Sequence, residues 1–186
     1  MSENKTANPG PLGLLGFGMT TVLLNLHNSG IIELSAVIVA MGFAMGGLAQ
    51  IIAGIKEFSR NNIFGATAFT AYGCFWWSLI FIWNPVFGGE PADPLSMGFY
   101  LLLWGIFTGF MSVATLKHNI ATRVVFFSLT ALFLLLALGD FTGVEAIHVL
   151  AGVVGIVCGL SAIYASVAQV INAEFGKEVL PMGSHK

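Results

Sequence analysis

The chain has 186 residues, of which 56% are hydrophobic and 9% are charged, and its mean hydropathy is +0.88. Ordinary globular proteins carry about 25% charged residues, so this composition cannot cover the surface of a soluble domain. A net charge of −2 provides no basic face, which excludes nucleic acid as a partner. The two cysteines, Cys74 and Cys158, lie in apolar runs, so we expect no disulfide framework, no metal site and no cofactor. The sequence predicts an integral membrane protein.

Stretches without Asp, Glu, Lys or Arg mark six predicted transmembrane helices. A helix needs about 20 mostly apolar residues to cross a bilayer, and five of the six stretches exceed that length. The remaining stretch, 124–139, is shorter, but Arg123 beside it can reach the interface and complete the crossing. The predicted helices are 11–28, 33–55, 63–84, 95–117, 121–140 and 146–172. Because these runs are continuously apolar, they predict an all-α membrane protein rather than a β-barrel.

The basic residues predict the orientation of the chain. Six crossings place all of them on one side of the membrane, whereas the opposite connections carry acidic residues. The basic residues are Lys5, Lys56, Arg60, Lys117, Arg123, Lys177 and Lys186. The positive-inside rule therefore predicts that both termini are cytoplasmic. The chain then divides into a cytoplasmic N-terminal segment, 1–10, a transmembrane domain, 11–172, and a cytoplasmic C-terminal tail, 173–186.

Glycine pairs spaced four residues apart indicate an internal repeat. One pair occurs in each even-numbered helix: Gly42/Gly46, Gly105/Gly109 and Gly155/Gly159. Small residues at this spacing let helix backbones approach closely in lipid, which predicts three tandem hairpins around a central pathway. The alternative is that glycine is common in membrane helices and that the pairs recur by chance.

The repeat brings equivalent depths of the odd-numbered helices together. Phe17, Tyr72 and Leu129 then lie at a common level, about 10–15 Å from the cytoplasmic helix ends and close to the middle of the bilayer. Three bulky side chains meeting there would form an apolar constriction. The alternative is that each is an ordinary packing residue.

The middle of the predicted membrane domain carries no formal charge. This excludes retinal proteins, carboxylate-driven ion pumps and voltage sensors, which need charged residues inside the membrane. The serine motif GxSG of intramembrane proteases also fails, since Ala162 replaces its last glycine after Ser161. We therefore expect that the protein is not an enzyme.

Neutral polar side chains remain, and they could line a path for a small polar solute. They include Thr20, Thr21, Asn25, Gln50, Thr130 and Tyr164. The alternative role for each is an interhelical hydrogen bond. His27 and His148 lie at the outer helix ends, where a proton role and a passive interfacial role both stay open.

The segment before the first helix is rich in proline and glycine. Its sequence is Asn8-Pro9-Gly10-Pro11-Leu12-Gly13-Leu14. Pro11 suits the first helical turn, where its missing N–H is not needed, and Asn8 can accept from neighbouring backbone N–H groups. The free N–H groups of a helix start can attract a carboxylate, although a rigid helix cap is the simpler alternative.

This segment closely resembles the signature N-P-[AV]-P-[LF]-G-L of the acetate uptake transporter family, also called succinate–acetate permeases. Gly10 departs from the third position of the signature. The resemblance covers nearly the whole chain. It continues through Gly16-Phe17-Gly18-Met19-Thr20-Thr21, Asn25-Leu26-His27-Asn28, Ala49-Gln50-Ile51, Phe64-Gly65, Thr67-Ala68-Phe69-Thr70, Phe126-Phe127-Ser128-Leu129-Thr130 and Ser161-Ala162-Ile163-Tyr164.

The resemblance implies a function and a set of partners. Members of the family are six-helix inner-membrane proteins that assemble as hexamers, with one pathway in each protomer. They take up acetate, and several take up succinate; proton coupling and channel-like passage have both been argued. The family's constriction matches Phe17, Tyr72 and Leu129, and Ala162 matches a position linked to substrate choice. The entrance motif adds Asn8, Pro11 and Gly13 to the expected pathway.

We therefore expect a plasma-membrane transporter or channel for acetate, and for succinate as in several members. Its expected partners are these acids, protons, membrane lipids and further copies of the chain in a homo-hexamer. The alternative within transport is a pore for a neutral small solute such as urea or an amide. The alternative of another class is a membrane scaffold that transports nothing.

Overall fold

The computed structural model describes residues 6–84 and 90–183. It is helical, and no strand occurs in those two ranges. The helices are α1 (Gly10–Asn28), α2 (Ala36–Phe58), α3 (Ile63–Trp83), α4 (Pro94–Ala114, extended by a 3-10 turn at Thr115–Lys117), α5 (Ile120–Thr142) and α6 (Glu145–Phe175). Each follows one predicted helix. The largest differences are three residues, as where α2 starts at residue 36 rather than 33 and where α6 ends at residue 175 rather than 172.

Five helices, α2 to α6, are long and apolar enough to cross a membrane. The chain is therefore a multi-pass membrane protein. The first helix, α1, contains more glycine and neutral polar residues, but it runs antiparallel to α6 over the same depth. It begins beside Gln169, which bonds to Asn8, and it ends where Asn28 and Ser29 contact Gly152.

Side-chain caps and glycines set the ends of several helices. Asn62, Asp93 and Asn119 each accept a hydrogen bond from a backbone N–H in the first turn of α3, α4 and α5, at 2.9–3.1 Å. Hydrogen bonds from Ser96 also lower the pKa of the Asp93 carboxyl below its ordinary value. Gly143 and Gly176 end α5 and α6 with φ of +67° and +63°, a conformation that favours glycine.

The helices contact one another in chain order, and α6 returns to α1. Among the described residues, two hydrogen bonds between side chains join α3 to α4: Tyr72 to Thr108 at 2.9 Å and Ser78 to Tyr100 at 2.7 Å. At one end of the bundle, called here the termini end, the segment before α1 meets the end of α2 and the last turns of α6. Asn8 makes these contacts through hydrogen bonds with Arg60 and Gln169. The residues 1–5 and 184–186, with the predicted orientation markers Lys5 and Lys186, lie outside the described ranges.

The glycine pairs do not have equivalent roles. Gly159 lies against the backbone of α1, where a Cβ would be 2.8 Å from the carbonyl oxygen of Gly18. Gly46 lies against the indole of Trp76, at 2.6 Å from the same hypothetical Cβ position. A Cβ at Gly109 would instead be 3.8 Å from its nearest neighbour, the methyl group of Thr130. The first two glycines permit close packing, and the third has ordinary space around it.

A π-helical segment, Gly42–Ala49, interrupts α2. The sequence predicts a continuous helix here and gives no sign of the wider turn. The indole Nε1 of Trp77 donates to the Phe43 carbonyl oxygen at 3.1 Å, so a side chain of α3 satisfies a backbone acceptor of this segment. Such segments are rare and often occur at functional sites.

The C-terminal segment 177–183 folds back onto the termini end. Asn172 holds it with three hydrogen bonds: its Nδ2 donates to the Leu180 carbonyl oxygen, and its Oδ1 accepts from the N–H groups of Val179 and Leu180. The N–H groups of Ile120 and Ala121, at the start of α5, donate to the carbonyl oxygens of Gly183 and Met182. The segment therefore supplies acceptors to the first turn of α5.

Replacing Asn172 with alanine is expected to release this segment, because three hydrogen bonds worth about 1 kcal/mol each are lost. Limited trypsin digestion of the purified protein should then cut after Lys177 about tenfold faster than in the unmodified protein, as read by mass spectrometry. Glu174→Ala, an exposed neighbour, serves as the control and should leave the rate unchanged. Equal rates in all three proteins would contradict the anchoring role of Asn172.

Candidate functional site

Three side chains from alternate helices meet inside the bundle. Phe17 of α1, Tyr72 of α3 and Leu129 of α5 are 6%, 3% and 2% exposed, and all three line one internal cavity. The ring centroids of Phe17 and Tyr72 are 6.1 Å apart. The cavity measures about 20 Å³, which is space for a single water molecule. In this conformation the site is closed to any larger solute.

The lining of this cavity is apolar except at Gln50. Its other residues, besides the three above, are Leu14, Ala68, Phe69, Val125 and Phe126. Gln50 of α2 is 1% exposed, and its Oε1 accepts no hydrogen bond within the ranges that the structure covers. The hydroxyl of Tyr72 is bonded to Thr108, so its polar end is already satisfied. Gln50 is thus a buried, unpaired acceptor beside a cavity whose exposed surface is apolar.

A wider cavity, called here the vestibule, adjoins the first on the side of the termini end. It measures about 280 Å³ and shares Leu14, Ala68, Phe69 and Phe126 with the smaller cavity. Its remaining lining is mostly polar: Asn8, Gly10, Glu57, Arg60, Asn62, Phe64, Gly65, His118, Asn119, Thr122 and Gln169. The volume accommodates a small carboxylic acid together with several water molecules.

The proline-rich segment before α1 forms one wall of the vestibule. Asn8 donates through Nδ2 to Gln169 at 3.1 Å, and its Oδ1 accepts from the Gly10 N–H at 3.0 Å and from Nη1 of Arg60 at 2.9 Å. Gly13 lies under the ring of Phe69, where a Cβ would be only 2.5 Å from the ring carbons. The motif therefore positions a cation and an aromatic ring that both line the vestibule.

Two further groups determine the electrostatics of the vestibule. The carboxylate of Glu57 is buried, and its Oε2 lies 4.0 Å from Nε of Arg60. The ring of His118 packs against Phe64 with centroids 4.6 Å apart. Burial lowers the pKa of His118 below its ordinary value of 6.5, so this side chain is neutral near pH 7. Arg60 is then the permanent cation of the vestibule.

Comparisons with known proteins identify the family. Residues 1–182 match the sequence profile of the GPR1/FUN34/yaaH family. The chain belongs to this family. The succinate-acetate/proton symporter SatP of Escherichia coli (strain K12) is 52% identical over 185 residues, which cover 98% of each chain. The ammonia transport outward protein 2 of Saccharomyces cerevisiae is 40% identical over 180 residues, covering 92% of this chain and 64% of the yeast protein.

A solved structure shows the same fold. The bacterial acetate channel SatP superimposes on this chain with a TM-score of 0.94 at 52% identity, covering 96% of this chain and 100% of that one. Membership of the family predicted from the entrance motif is confirmed, as is an all-helical membrane fold.

Several residues predicted for the pathway lie outside the lining of both cavities. Thr20 donates to the Gly16 carbonyl oxygen, and Asn25 donates to the Thr21 carbonyl oxygen, so both bond within α1. Thr130 bonds to Ser112 at 2.9 Å, between α5 and α4. Only the bond of Thr130 is the interhelical hydrogen bond that the alternative predicted, because Thr20 and Asn25 bond within their own helix. A place on the pathway stays a prediction for all three.

Three further predicted residues, Pro11, Ala162 and Tyr164, also lie outside the lining of both cavities. The Pro11 carbonyl oxygen accepts from Ser166 at 2.6 Å, which fixes the start of α1 to α6. Ala162 of α6 is fully buried and belongs to the hydrophobic core of the bundle. Tyr164 is 40% exposed and donates to the Pro181 carbonyl oxygen at 2.7 Å, so it contacts the C-terminal segment and not the vestibule of this GPR1/FUN34/yaaH protein.

Sequence analysis missed Glu57 as a site residue of this family member. It lies just beyond the predicted helix 33–55, and a charge near a helix end is usually solvated. A signal was nevertheless present: Gln50, Ala53, Gly54 and Glu57 follow a helical spacing of 3, 4 and 7, and all four are buried. A carboxylate on the buried face of an apolar helix is the pattern that points to function in a membrane.

Proposed function

We propose that this chain transports acetate, and succinate as a second substrate, across the plasma membrane through a pathway within each protomer. The observation that carries the proposal is the direct contact between the apolar cavity of Phe17, Tyr72 and Leu129 and the polar vestibule. The proposed arrangement has six crossings, three hairpins around the pathway, and the termini end in the cytoplasm, as the basic residues indicate. Similarity to a symporter and to an acetate channel supports the substrate class.

The apolar constriction explains why a proton accompanies the acid. Transfer of a carboxylate anion into an apolar ring without partners carries a large desolvation penalty, and the neutral acid carries far less. Acetate therefore passes Phe17, Tyr72 and Leu129 in its protonated form. Gln50 has an unpaired oxygen buried behind this lining, and a rotation of its side chain would let that oxygen accept the hydrogen bond of the acid's hydroxyl. Since the closed space is about 20 Å³, passage includes a rotation of the lining side chains.

The outer faces of the bundle fit a membrane-embedded homo-hexamer surrounded by lipid. Large apolar side chains on α4 are widely exposed in the isolated chain, among them Phe110 at 76% and Leu103 at 67%. Lipid or neighbouring protomers cover such faces in a bilayer. The hexameric state comes from the family resemblance, and the apolar faces are compatible with it.

Uptake of labelled acetate into proteoliposomes tests the proposed function. We expect flux above that of protein-free liposomes, and an imposed pH gradient, acidic outside, should increase it. The matched control is Leu129→Trp, which fills the cavity and should return flux to the lipid background. Urea flux that is independent of pH, without acetate flux, would favour the neutral-solute pore. Absence of any flux above background would favour a scaffold.

A further inference from the structure

Glu57 is in the lining of the vestibule, and one oxygen of its buried carboxylate has no hydrogen-bond partner among the described residues. The residue is 2% exposed, and Oε2 has no hydrogen-bond partner among residues 6–84 and 90–183. The nearest cation, Nε of Arg60, is 4.0 Å from Oε2, which is an ion-pair distance beyond hydrogen-bond range. A fixed structural ion pair at this depth would normally be closer and fully hydrogen-bonded.

The neighbouring helix is shaped to accept this side chain. A Cβ at Gly65 of α3 would lie 3.1 Å from both Cγ and Cδ of Glu57, so the absence of a side chain at residue 65 gives the carboxyl group its place. Ionised, the carboxyl group has an acceptor that nothing satisfies; protonated, it becomes a donor that can face the vestibule. The surroundings of Glu57 therefore suit a group that changes its protonation state during function.

Arg60 is held so that its charge stays within the vestibule. Its Nη1 donates to Asn8, which is a neutral partner and leaves the positive charge uncompensated apart from Glu57. The titratable and charged side chains on the lining are Glu57, Arg60 and His118. Arg123, the next cation along the chain, donates to the carbonyl oxygens of His118 and Leu116. Protonation of Glu57 thus leaves Arg60 as the one strong attraction for an anion on this wall of the described vestibule.

We propose that Glu57 and Arg60 form a joint site that binds one proton and one substrate carboxylate together. The proton from solvent forms an O–H bond on Glu57, and the carboxylate anion takes the place of the lost negative charge beside Arg60. No bond in the substrate changes in this binding step, and the net charge of the site is the same before and after. When the acid moves on to the constriction, the O–H bond on Glu57 breaks and an O–H bond forms on the acetate, which leaves Glu57 ionised beside Arg60. The inference rests on the proposed function and assigns the proton of that transport to a residue.

The joint site makes the binding of acid and proton mutually dependent. Because linkage is reciprocal, the proton raises the affinity for acetate by the same factor by which acetate raises the affinity for the proton. Where each acetate binds together with one proton, the acetate affinity should fall about tenfold per pH unit. If Arg60 alone bound acetate, the acetate affinity would not change with pH in this way.

Proton uptake on acetate binding tests the proposal directly. Sodium acetate is added to the protein in nanodiscs at pH 7.5 in weak buffer, and a pH indicator reports protons taken up while saturation-transfer NMR reports bound acetate. The unmodified protein should take up about one proton for each acetate bound. Glu57→Gln, a permanently neutral mimic of the protonated form, should bind acetate with an affinity independent of pH and take up no proton. Arg60→Gln should lose acetate binding at least tenfold.

The control is Glu174→Gln, which removes an exposed carboxylate of α6 at the same end of the bundle and should behave as the unmodified protein. Acetate binding by the unmodified protein without proton uptake would overturn the proposal, and this outcome needs no variant. Proton uptake that persists in Glu57→Gln would also overturn it. The proposed function fails separately, if the unmodified protein neither binds nor conducts acetate.

Discussion

Replacing Leu129 with alanine should raise the rate of succinate transport relative to acetate by about tenfold. The side chain of Leu129 is 2% exposed and closes a cavity of about 20 Å³ together with Phe17 and Tyr72. A four-carbon acid must displace more of this lining than a two-carbon acid. A steric contact worth about 1–3 kcal/mol corresponds to roughly 5- to 150-fold in rate, and tenfold lies within this range.

The measurement is uptake of labelled succinate and acetate into proteoliposomes, compared between variants at equal protein content. Leu132→Ala is the matched control, because Leu132 lies on the same helix, is 4% exposed and is not part of the cavity lining. It should reduce stability without changing the ratio of the two rates. An unchanged ratio in Leu129→Ala, or the same change in both variants, would contradict the constriction.

Replacing Gly159 with alanine should lower the free energy of unfolding by about 1–3 kcal/mol. The added Cβ would lie 2.8 Å from the carbonyl oxygen of Gly18 and 2.8 Å from the backbone N of Val22. These are backbone atoms of α1, so relief of the contact requires the two helices to separate. The close approach of α1 and α6 also holds the wall that contains the entrance motif, through the hydrogen bond between Ser166 and Pro11.

Gly109→Ala is the control for this substitution. It changes a glycine of the same motif type, but its Cβ would have 3.8 Å to the nearest atom. Since alanine has a higher helix propensity than glycine by about 1 kcal/mol, this variant should be neutral or slightly more stable. Thermal unfolding in detergent, followed by size-exclusion chromatography, distinguishes the two. Equal loss of stability would show that the glycine pairs pack equivalently, against the structure.

The structure gives different reasons for glycines that look alike in the sequence. The spacing of four residues predicts close helix packing at each pair, and Gly46 and Gly159 do pack in this way. Their neighbours, however, are an indole in one case and a helix backbone in the other. A pair of small residues predicts that another group packs closely against the helix. It does not predict which group that is, because the group belongs to another part of the chain.

Local chemistry in the sequence was sufficient to predict the helices, their order and the family. Continuously apolar, uncharged runs of membrane length are expected to form helices, because in a helix every backbone polar group in lipid is bonded within the same segment. The entrance motif identified the family, and the depth of Phe17, Tyr72 and Leu129 along their helices was enough to select three residues that line one cavity. Helix length and position along the chain are local quantities, so they can be predicted without coordinates.

The tertiary structure alone decided which polar residues face the vestibule. Thr20, Thr130 and Tyr164 are typical pathway residues by type, but each bonds to a backbone or side-chain group elsewhere. Glu57 is typical of a solvated helix end by position, and it is buried against Gly65 beside Arg60. Which side of a helix meets a cavity depends on the rotation of that helix against its neighbours. That rotation follows from long-range packing between segments that the sequence keeps far apart.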